Sequence, residues 1–557
     1  MPNATPPAAQ PESRTKAEPA ALRQVRESAQ ALLAQGQVDE AFEFFVSALD
    51  AVLRKTRDLE LLVAKLQRER VGKRSEQIDP AQLQLLFEEL CSRGEPQAPI
   101  DPQAEAREDD ELKQQIEQAR QEHAQDQAQR ARGQRLRTRG VPRRVHRREV
   151  PEAQRWCARC EVSKQRIGED VTRRLVYVPG HFVEDEHHLD KYACPKCREG
   201  VTTAEAPPQV IERSAADASL LAHVSVSKYV DHTPLHRLHR IYARSGVDIP
   251  VSTLSDWTGA VADLLAPLAD KLSARVLGAT IVRTDATGIQ VLDHSSPHNV
   301  ERGTMWCYVG DDRDVIFRYT PTGEGASGPW EFLAGRSGYV QADAANVFDR
   351  VFNGKVANAV EVGCLAHARR RLVELQDTDC RVAYPLKLIA RLYRIETLAD
   401  ARQLAHAERA SLRQERAGPV LEKLKRWIVI TLADETPASA LAKAGGYMLN
   451  HWEALTRFLQ DGRLGLDNNL CEQQLRAIAL GRRNYLFCGS HDAARRAAVL
   501  YSLTRTCAQH GVAPLPYLTD VLTKLAEGWP VNRLDELLPD RWQAALTPAA
   551  ATLDAAQ

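Results

Sequence analysis

Apolar positions change their period along this chain, and the changes mark its parts. Residues 1–20 are rich in alanine and proline without periodicity, as in a disordered tail. From about Ala21 to Arg70 the spacing is helical, with Leu59, Leu62, Val63 and Leu66 forming one stripe that suits a helical hairpin or a coiled-coil pairing surface. Residues 101–130, dominated by Glu, Gln, Asp and Ala, predict an exposed helix or a disordered tether. A helix ending near Lys228-Tyr229 follows, then a second opened by Pro234 over Leu235–Tyr242, a break at Gly246, and a third starting at Ser252 as its N-cap. Strand patterns come next: Ala279–Thr284 ending at Asp285, Gly288–Leu292, Thr304–Val309, Val315–Tyr319, Gly338–Ala342 ending at Asp343, and Asn358–Val362. Helices are expected at Pro329–Leu333, Asn346–Phe352 and Leu365–Leu375 among them. Beyond Arg371 the pattern is helical, over Leu386–Leu398, Leu404–Arg416, Val420–Trp427 and Ala438–Leu449. In Leu466–Arg476 a helical period sets Asn468, Glu472 and Arg476 on one face.

Three strands, a helix, then alternating strand and helix is the order of a ribonuclease-H-like α/β domain, here with an all-α insertion at about 376–460. The whole chain reads as multidomain α+β. Its parts are a disordered tail (1–20), an N-terminal helical or coiled-coil region (21–100), a charged linker with an Arg-rich tract (101–150), and a zinc-binding ribbon (151–205). A helix-turn-helix region (210–270), the catalytic domain (275–525) and a C-terminal tail (526–557) complete it.

Global charge excludes nothing: 74 basic residues balance 74 acidic ones over 557 residues. No stretch approaches the roughly 18 apolar residues of a membrane span, and the N-terminus lacks a basic-then-apolar signal, so a cytoplasmic protein is expected. Local charge is more telling. Nine arginines and no acidic residue lie between Arg130 and Arg148, broken by Gly133, Gly140 and Pro142. Such a polycation can follow a phosphate backbone by releasing counterions; the alternative is a solvated linker. The eleven cysteines include the pairs Cys157/Cys160 and Cys194/Cys197, 33 residues apart. Two Cys-x-x-Cys knuckles supply the four thiolates of a closed, structural zinc site; four free thiols are the alternative. His181, His187 and His188 between them are either substitute ligands or solvated strand residues. The three short helices over 216–265 resemble a helix-turn-helix, although a structural three-helix unit has the same pattern.

Asp285, Asp343 and Glu472 carry the chemistry. A strand-end aspartate is by itself most often a turn residue or helix cap, but two carboxylates from adjacent strands and one from a helix above them can hold hard cations through oxygen. Two such ions about 4 Å apart would activate a hydroxyl nucleophile and stabilise the leaving oxygen of a phosphodiester. Asn468 and Asn469, one turn earlier, suit orientation of Glu472, a phosphate contact or N-capping. His367 is either a neighbour of the metal site, a DNA contact or a structural histidine, and Cys364 is a buried thiol more readily than a ligand. Arg482 and Arg483 suit phosphate contacts or a solvated charge pair.

Specific motifs extend this reading: Gly72–Glu76, the two cysteine pairs, Lys228–Leu235, Cys364-Leu365-Ala366-His367-Ala368-Arg369-Arg370, Asp467-Asn468-Asn469-Leu470-Cys471-Glu472 and Gly481–Ser490. Through them the chain resembles the large transposase of the insertion-sequence-66 family, a bacterial DDE transposase group, from about Leu59 to Leu525. The resemblance implies that Asp285, Asp343 and Glu472 are the catalytic triad, binding two magnesium ions, with manganese as a substitute. It implies cleavage at element ends and strand transfer into target DNA. His367, Arg369, Arg370, Asn468, Asn469, Arg476, Arg482 and Arg483 are the expected surrounding and DNA-contacting residues, and Cys157, Cys160, Cys194 and Cys197 the zinc ligands. Partners implied are terminal repeats, target DNA, further copies of the chain and small accessory proteins. The chain departs from the family at Ala286, where glutamate is usual, and at Gln473, where arginine is usual. Neither change removes a metal ligand. A DNA-binding protein without catalysis, or a nuclease that cuts without joining, are the alternatives.

Overall fold

The computed structural model describes residues 80–92, 102–131, 145, 154–157, 159–164, 180–192, 201–296, 298–343 and 345–542. The N-terminal tail, the Leu59–Leu66 stripe, nearly all of the Arg-rich tract, Cys194 and Cys197 lie outside the described residues. Two compact units divide the chain: helix α1 (Pro80–Ser92) belongs with residues 422–450, and the remaining described residues form the other. Among the described residues no helix is long and apolar enough to cross a membrane.

The larger unit opens with α2 (Pro102–Ala131) and two short antiparallel ribbons, β1 (Trp156–Cys157) with β2 (Val162–Ser163) and β3 (Lys191–Tyr192) with β4 (Thr202–Thr203). Helices α3 (Ala218–Tyr229), α4 (Leu235–Arg244) and α5 (Val251–Gly278) follow. Pro250, not Ser252, stands at the α5 cap; its extended backbone sets the entry, so the helix starts before the serine can cap it. Val224, Leu235, Leu238, Tyr242, Ile249 and Leu254 form a small core among these helices, while Val261–Val276 of α5 joins the main core.

A five-stranded sheet centres the unit: β5 (Ile281–Leu292), β6 (Val300–Gly310), β7 (Asp314–Thr320), β8 (Ser337–Gln341) and β9 (Asn358–Val362), in the order β7-β6-β5-β8-β9. The first three run antiparallel, and β8 and β9 add on parallel. Short helices α6 (Pro329–Phe332) and α7 (Asp349–Phe352) connect the strands, and α8 (Leu365–Val373) leaves β9. The expected helical segment follows as α9 (Ala383–Ala401), α10 (His406–Leu412), α11 (Gly418–Ala433), α12 (Ala440–Asn450) and α13 (Trp452–Thr456), of which α12 and α11 from Glu422 onward belong to the smaller unit. Helices α14 (Asn469–Tyr485), α15 (His491–Gln509) and α16 (Pro514–Ala526) close the fold.

Two further features depart from sequence expectation. Asp285 does not end a strand: β5 continues to Leu292 because β6 pairs with it throughout, burying Ile289 and Val291 on the far side of Gly288. The acidic stretch 102–131 is neither tether nor fully solvated helix, since Leu112, Ile116 and Ala119 are buried with Glu105 and Asp109.

The sheet's β7 edge is covered without another strand. Thr506 on α15 accepts the Val315 N–H (3.0 Å) and donates to the Val315 carbonyl (3.1 Å), and Ser502 accepts the Phe317 N–H (2.8 Å). The match is geometric: two strand residues advance about 6.8 Å and four helix residues about 6 Å. Two hydroxyls one helical turn apart thus meet alternate strand amides.

Candidate active site

Strand register brings the two aspartates level. Arg283 of β5 pairs directly with Gln341 of β8 in parallel register. Advancing two residues along each chain keeps the same face and reaches Asp285 and Asp343, on neighbours spaced about 4.8 Å apart. Both aspartates are partly buried. Asp285 Oδ1 also accepts the Ala286 N–H (2.7 Å).

Glu472 approaches from α14, near enough for its charge to act on Asp285. Cys471 beside it donates to the carbonyl of Cys307 (3.6 Å), and Cys307 is the cross-strand partner of Asp285. Asn468 Nδ2 donates to the Thr284 carbonyl (2.8 Å), one residue before Asp285. The carbonyl of Leu466 accepts from Leu365, and Glu472 lies in the first turn of α14, where the helix dipole favours a carboxylate. Burial is the main cause that pushes the Asp285 carboxyl up to about 7; the neighbouring charges of Asp343 and Glu472 push the same way, against the Ala286 N–H and Arg370. Cys364, His367 and Glu472 converge, their ligand-type atoms all within 4.8 Å of one another. Nδ1 of His367 and Oε1 of Glu472 are buried without a hydrogen-bond partner.

A polar hub beneath the carboxylates had no obvious sequence signal. Arg283 donates to both oxygens of Asp312 (2.5 and 3.0 Å), to the Asp467 carbonyl (3.2 Å) and to Gln341 Oε1. Gln341 Nε2 in turn donates to the carbonyls of Gly363 (3.0 Å) and Gly465 (2.9 Å). A Cβ on Gly465 would come within 2.6 Å of the Arg283 guanidinium, so this close approach requires glycine. The hub joins β5, β8, the β9–α8 link and the entry to α14. Its available signal was the i, i+2 spacing of Arg283 from Asp285 and of Gln341 from Asp343.

The other expected site residues fall into two groups. Asn468, fully buried, precedes α14 and does not share a face with exposed Arg476; it acts as a tie to β5, because a residue at the cap lies outside the helical period. Asn469 is exposed and bonded to Asp467 (2.7 Å). Arg369, Arg370, Arg476 and Arg483 are exposed, whereas partly buried Arg482 donates to the Gly288 carbonyl of β5. Of the proposed zinc ligands, Cys157 lies in β1, Cys160 is exposed and Cys194 and Cys197 lie outside the described residues. His181, His187 and His188 are exposed, and His188 lies 3.4 Å from Glu186.

Removing the Asn468 amide should loosen the entry to α14. Asn468→Ala deletes the bond to the Thr284 carbonyl, and a lost buried hydrogen bond costs about 1–3 kcal/mol. Amide exchange over the first turn of α14 is expected to quicken while the central strands stay protected, as read by native-state hydrogen exchange.

Comparison with known proteins places the chain in a family. Residues 213–496 match the family model of the IS66 family transposase, residues 502–539 the IS66 C-terminal element, and residues 154–198 the zinc-finger binding domain of transposase IS66. Similar chains include two from Sinorhizobium fredii (strain NBRC 101917 / NGR234). "Uncharacterized protein y4hP" is 33% identical over 420 residues, covering 71% of this chain and 75% of its own. "Uncharacterized protein y4qI" is 34% identical over 404 residues, covering 70% and 74%. With a zinc-finger segment, a transposase segment and a C-terminal element in series, the chain belongs to the IS66 transposase family.

Proposed function

We propose that this protein is a DDE transposase that binds the ends of an insertion sequence and catalyses metal-dependent DNA cleavage and strand transfer. The observation carrying the reading is that Asp343, just past β8, and Glu472, on α14, both lie within electrostatic reach of Asp285 on a sheet ordered β7-β6-β5-β8-β9. That order, with the first carboxylate on the first strand and the second after the fourth, supports a ribonuclease-H-like catalytic domain.

The residues fit a hard divalent cation. Asp285, Asp343 and Glu472 offer carboxylate oxygens, one of them buried without a partner, beside the nitrogen and sulfur donors of His367 and Cys364, and their negative charge is what an ion would offset. Asp285, Asp343 and Glu472 would hold magnesium, or manganese in its place. When bound, such ions activate a hydroxyl nucleophile and stabilise the leaving oxygen of a phosphodiester. The chain's own part is to align and to neutralise. Arg283 and Gln341 fix the strand ends, Asn468 fixes the helix, and Arg369, Arg370, Arg476 and Arg483 supply positive charge for DNA phosphates. Helix α4 presents His236, Arg237, Arg240 and Arg244 on its exposed side, which supports DNA binding by the 210–270 region. Cys157, Cys160, Cys194 and Cys197 would hold a structural zinc ion in the zinc-finger segment. Pairing two element ends calls for at least two copies of the chain, and accessory proteins fit the same scheme.

The test is end cleavage and joining on DNA carrying the terminal sequences of the protein's own element, with magnesium or manganese, beside Glu472→Gln. Metal-dependent joined products absent from the variant are expected. Ends bound but never cut would favour a silent DNA-binding protein, and cut but unjoined ends a nuclease.

Metal affinity should depend on pH in a defined direction. The Asp285 carboxyl, at about 7, must lose its proton to bind a cation, so affinity should weaken about tenfold for each pH unit below that value and level off above it. Calorimetric titration with manganese checks this. A flat profile through that range would remove Asp285 from the ligand set.

A further inference from the structure

The turn after α14 is strained and pushes two apolar side chains into solvent. Leu486 has φ +61° and ψ −49°, a conformation that a leucine rarely adopts. The Phe487 N–H closes a three-residue turn on the Tyr485 carbonyl (2.7 Å). Both sides hold it in place. The Leu486 N–H bonds the Arg482 carbonyl at the helix end, and Cys488 pairs with β5 by bonds to Gln290 (2.8 Å) and Leu292 (2.9 Å). Strain maintained by its surroundings is a signal of function. What it maintains is exposure: Leu486 is 61% exposed and Phe487 42%, with Leu480 on the preceding turns also exposed.

Charge around the turn selects a partner. Arg483 on α14 and Arg302 on β6, directly opposite Gln290, are exposed and make no ion pair among the described residues. The nearby carboxylates Asp293 and Glu301 face His491, at 3.4 and 3.7 Å. An apolar tip flanked by free guanidinium groups suits a duplex, whose phosphates meet arginine while its stacked bases accept a wedge. Distance agrees. Gln290 lies five residues beyond Asp285 on the same strand, about 17 Å, or roughly five base steps.

We infer that Leu486 and Phe487 form a wedge that unstacks a base of the DNA end about five steps from the scissile phosphate. The inference rests on the proposed DNA chemistry and adds to it a residue pair that opens the duplex. The strained turn keeps the wedge extended before DNA arrives, so no rearrangement is needed on binding.

Terminal-sequence duplexes with 2-aminopurine placed at successive positions test this with the full-length protein. Wild-type protein should raise fluorescence several-fold at one or two adjacent positions. Phe487→Ala should abolish the rise and slow cleavage by roughly tenfold or more, with affinity changed less than about threefold because phosphate contacts remain. Leu486→Gly provides the folding control: glycine accepts the positive φ, so this variant should melt no lower than wild type yet lose part of the signal. Fluorescence unchanged in Phe487→Ala, or no rise with wild-type protein bound, overturns the wedge but leaves DNA binding intact. Failure of wild-type protein to bind the duplex overturns the DNA reading itself. A drop in oligomer mass for Phe487→Ala, with the base signal retained, reassigns the turn to contact between copies.

Discussion

Under the proposed function, Asp285→Asn should lower cleavage and joining by at least about 10³-fold, because losing a ligand to a catalytic ion would forfeit several kcal/mol of transition-state stabilisation. The same substitution should make the metal-free protein more stable. The folded carboxyl titrates at about 7 and the unfolded one near 3.8, so between those values the folded state binds more protons. The slope of unfolding free energy with pH is then negative. Stability associated with Asp285 is full below the unfolded value and is lost as pH rises toward 7. At neutral pH the penalty reaches a few kcal/mol at most, and asparagine removes it. Urea denaturation in chelator at several pH values, beside single-turnover cleavage, reads both effects. An active Asp285→Asn variant would end the catalytic assignment. Loss of activity with lower stability at neutral pH would point to a structural role instead.

Arg391→Ala should release α2 from the larger unit. The Arg391 side chain, only 4% exposed, bonds Asp109 (2.7 Å), Glu108 (2.6 Å), the Glu105 carboxylate (2.7 Å) and the Glu105 carbonyl (2.8 Å). Arg394 approaches Asp109 at 2.9 Å. Removing the shared cation leaves buried carboxylates under-compensated, which costs about 3–5 kcal/mol. A loss of that size exceeds what the apolar stripe of Leu112, Ile116 and Ala119 need withstand in an otherwise polar helix, so opening should be local. Faster amide exchange and proteolysis over 102–120 are expected, with the sheet protected as before. Acid should act similarly. Although its burial works to raise it, Asp109 lies below the usual carboxylate range through Arg391 and Arg394. Its contribution is therefore present above the unfolded value and lost as pH falls through the lower folded one. Unchanged exchange in Arg391→Ala would show that apolar packing alone holds the helix.

Local pattern and long-range pairing differ in how far the sequence discloses them. Asn358–Val362 forms the strand that its alternation predicts, and the helices from 383 to 450 follow their 3.6-residue period, because both signals lie within one element. The three carboxylates were legible as candidates, but the shared register of the two aspartates was not: it depends on Arg283 pairing with Gln341, residues 58 apart. Asp285 was misplaced at a strand end because Gly288 and Gln290 interrupt the apolar run, while the pairing with β6 that carries β5 onward is tertiary. Asn468 fitted a helical face by spacing yet sits at the cap, where its amide finds Thr284. The acidic face of α2 read as solvated because its counter-charge, Arg391, arrives 282 residues after Asp109.

The hydroxyl pair on α15 also bears on where this protein can be divided. The transposase match ends at 496 and the C-terminal element begins at Ser502, so a boundary drawn between them discards both Ser502 and Thr506. The retained piece would hold all three carboxylates and the whole sheet, yet Val315 and Phe317 would offer bare amides along β7. An uncovered strand recruits another of its kind. A fragment cut at the family boundary should therefore clump through its sheets, because Ser502 and Thr506, the cover of the β7 edge, go with the discarded piece.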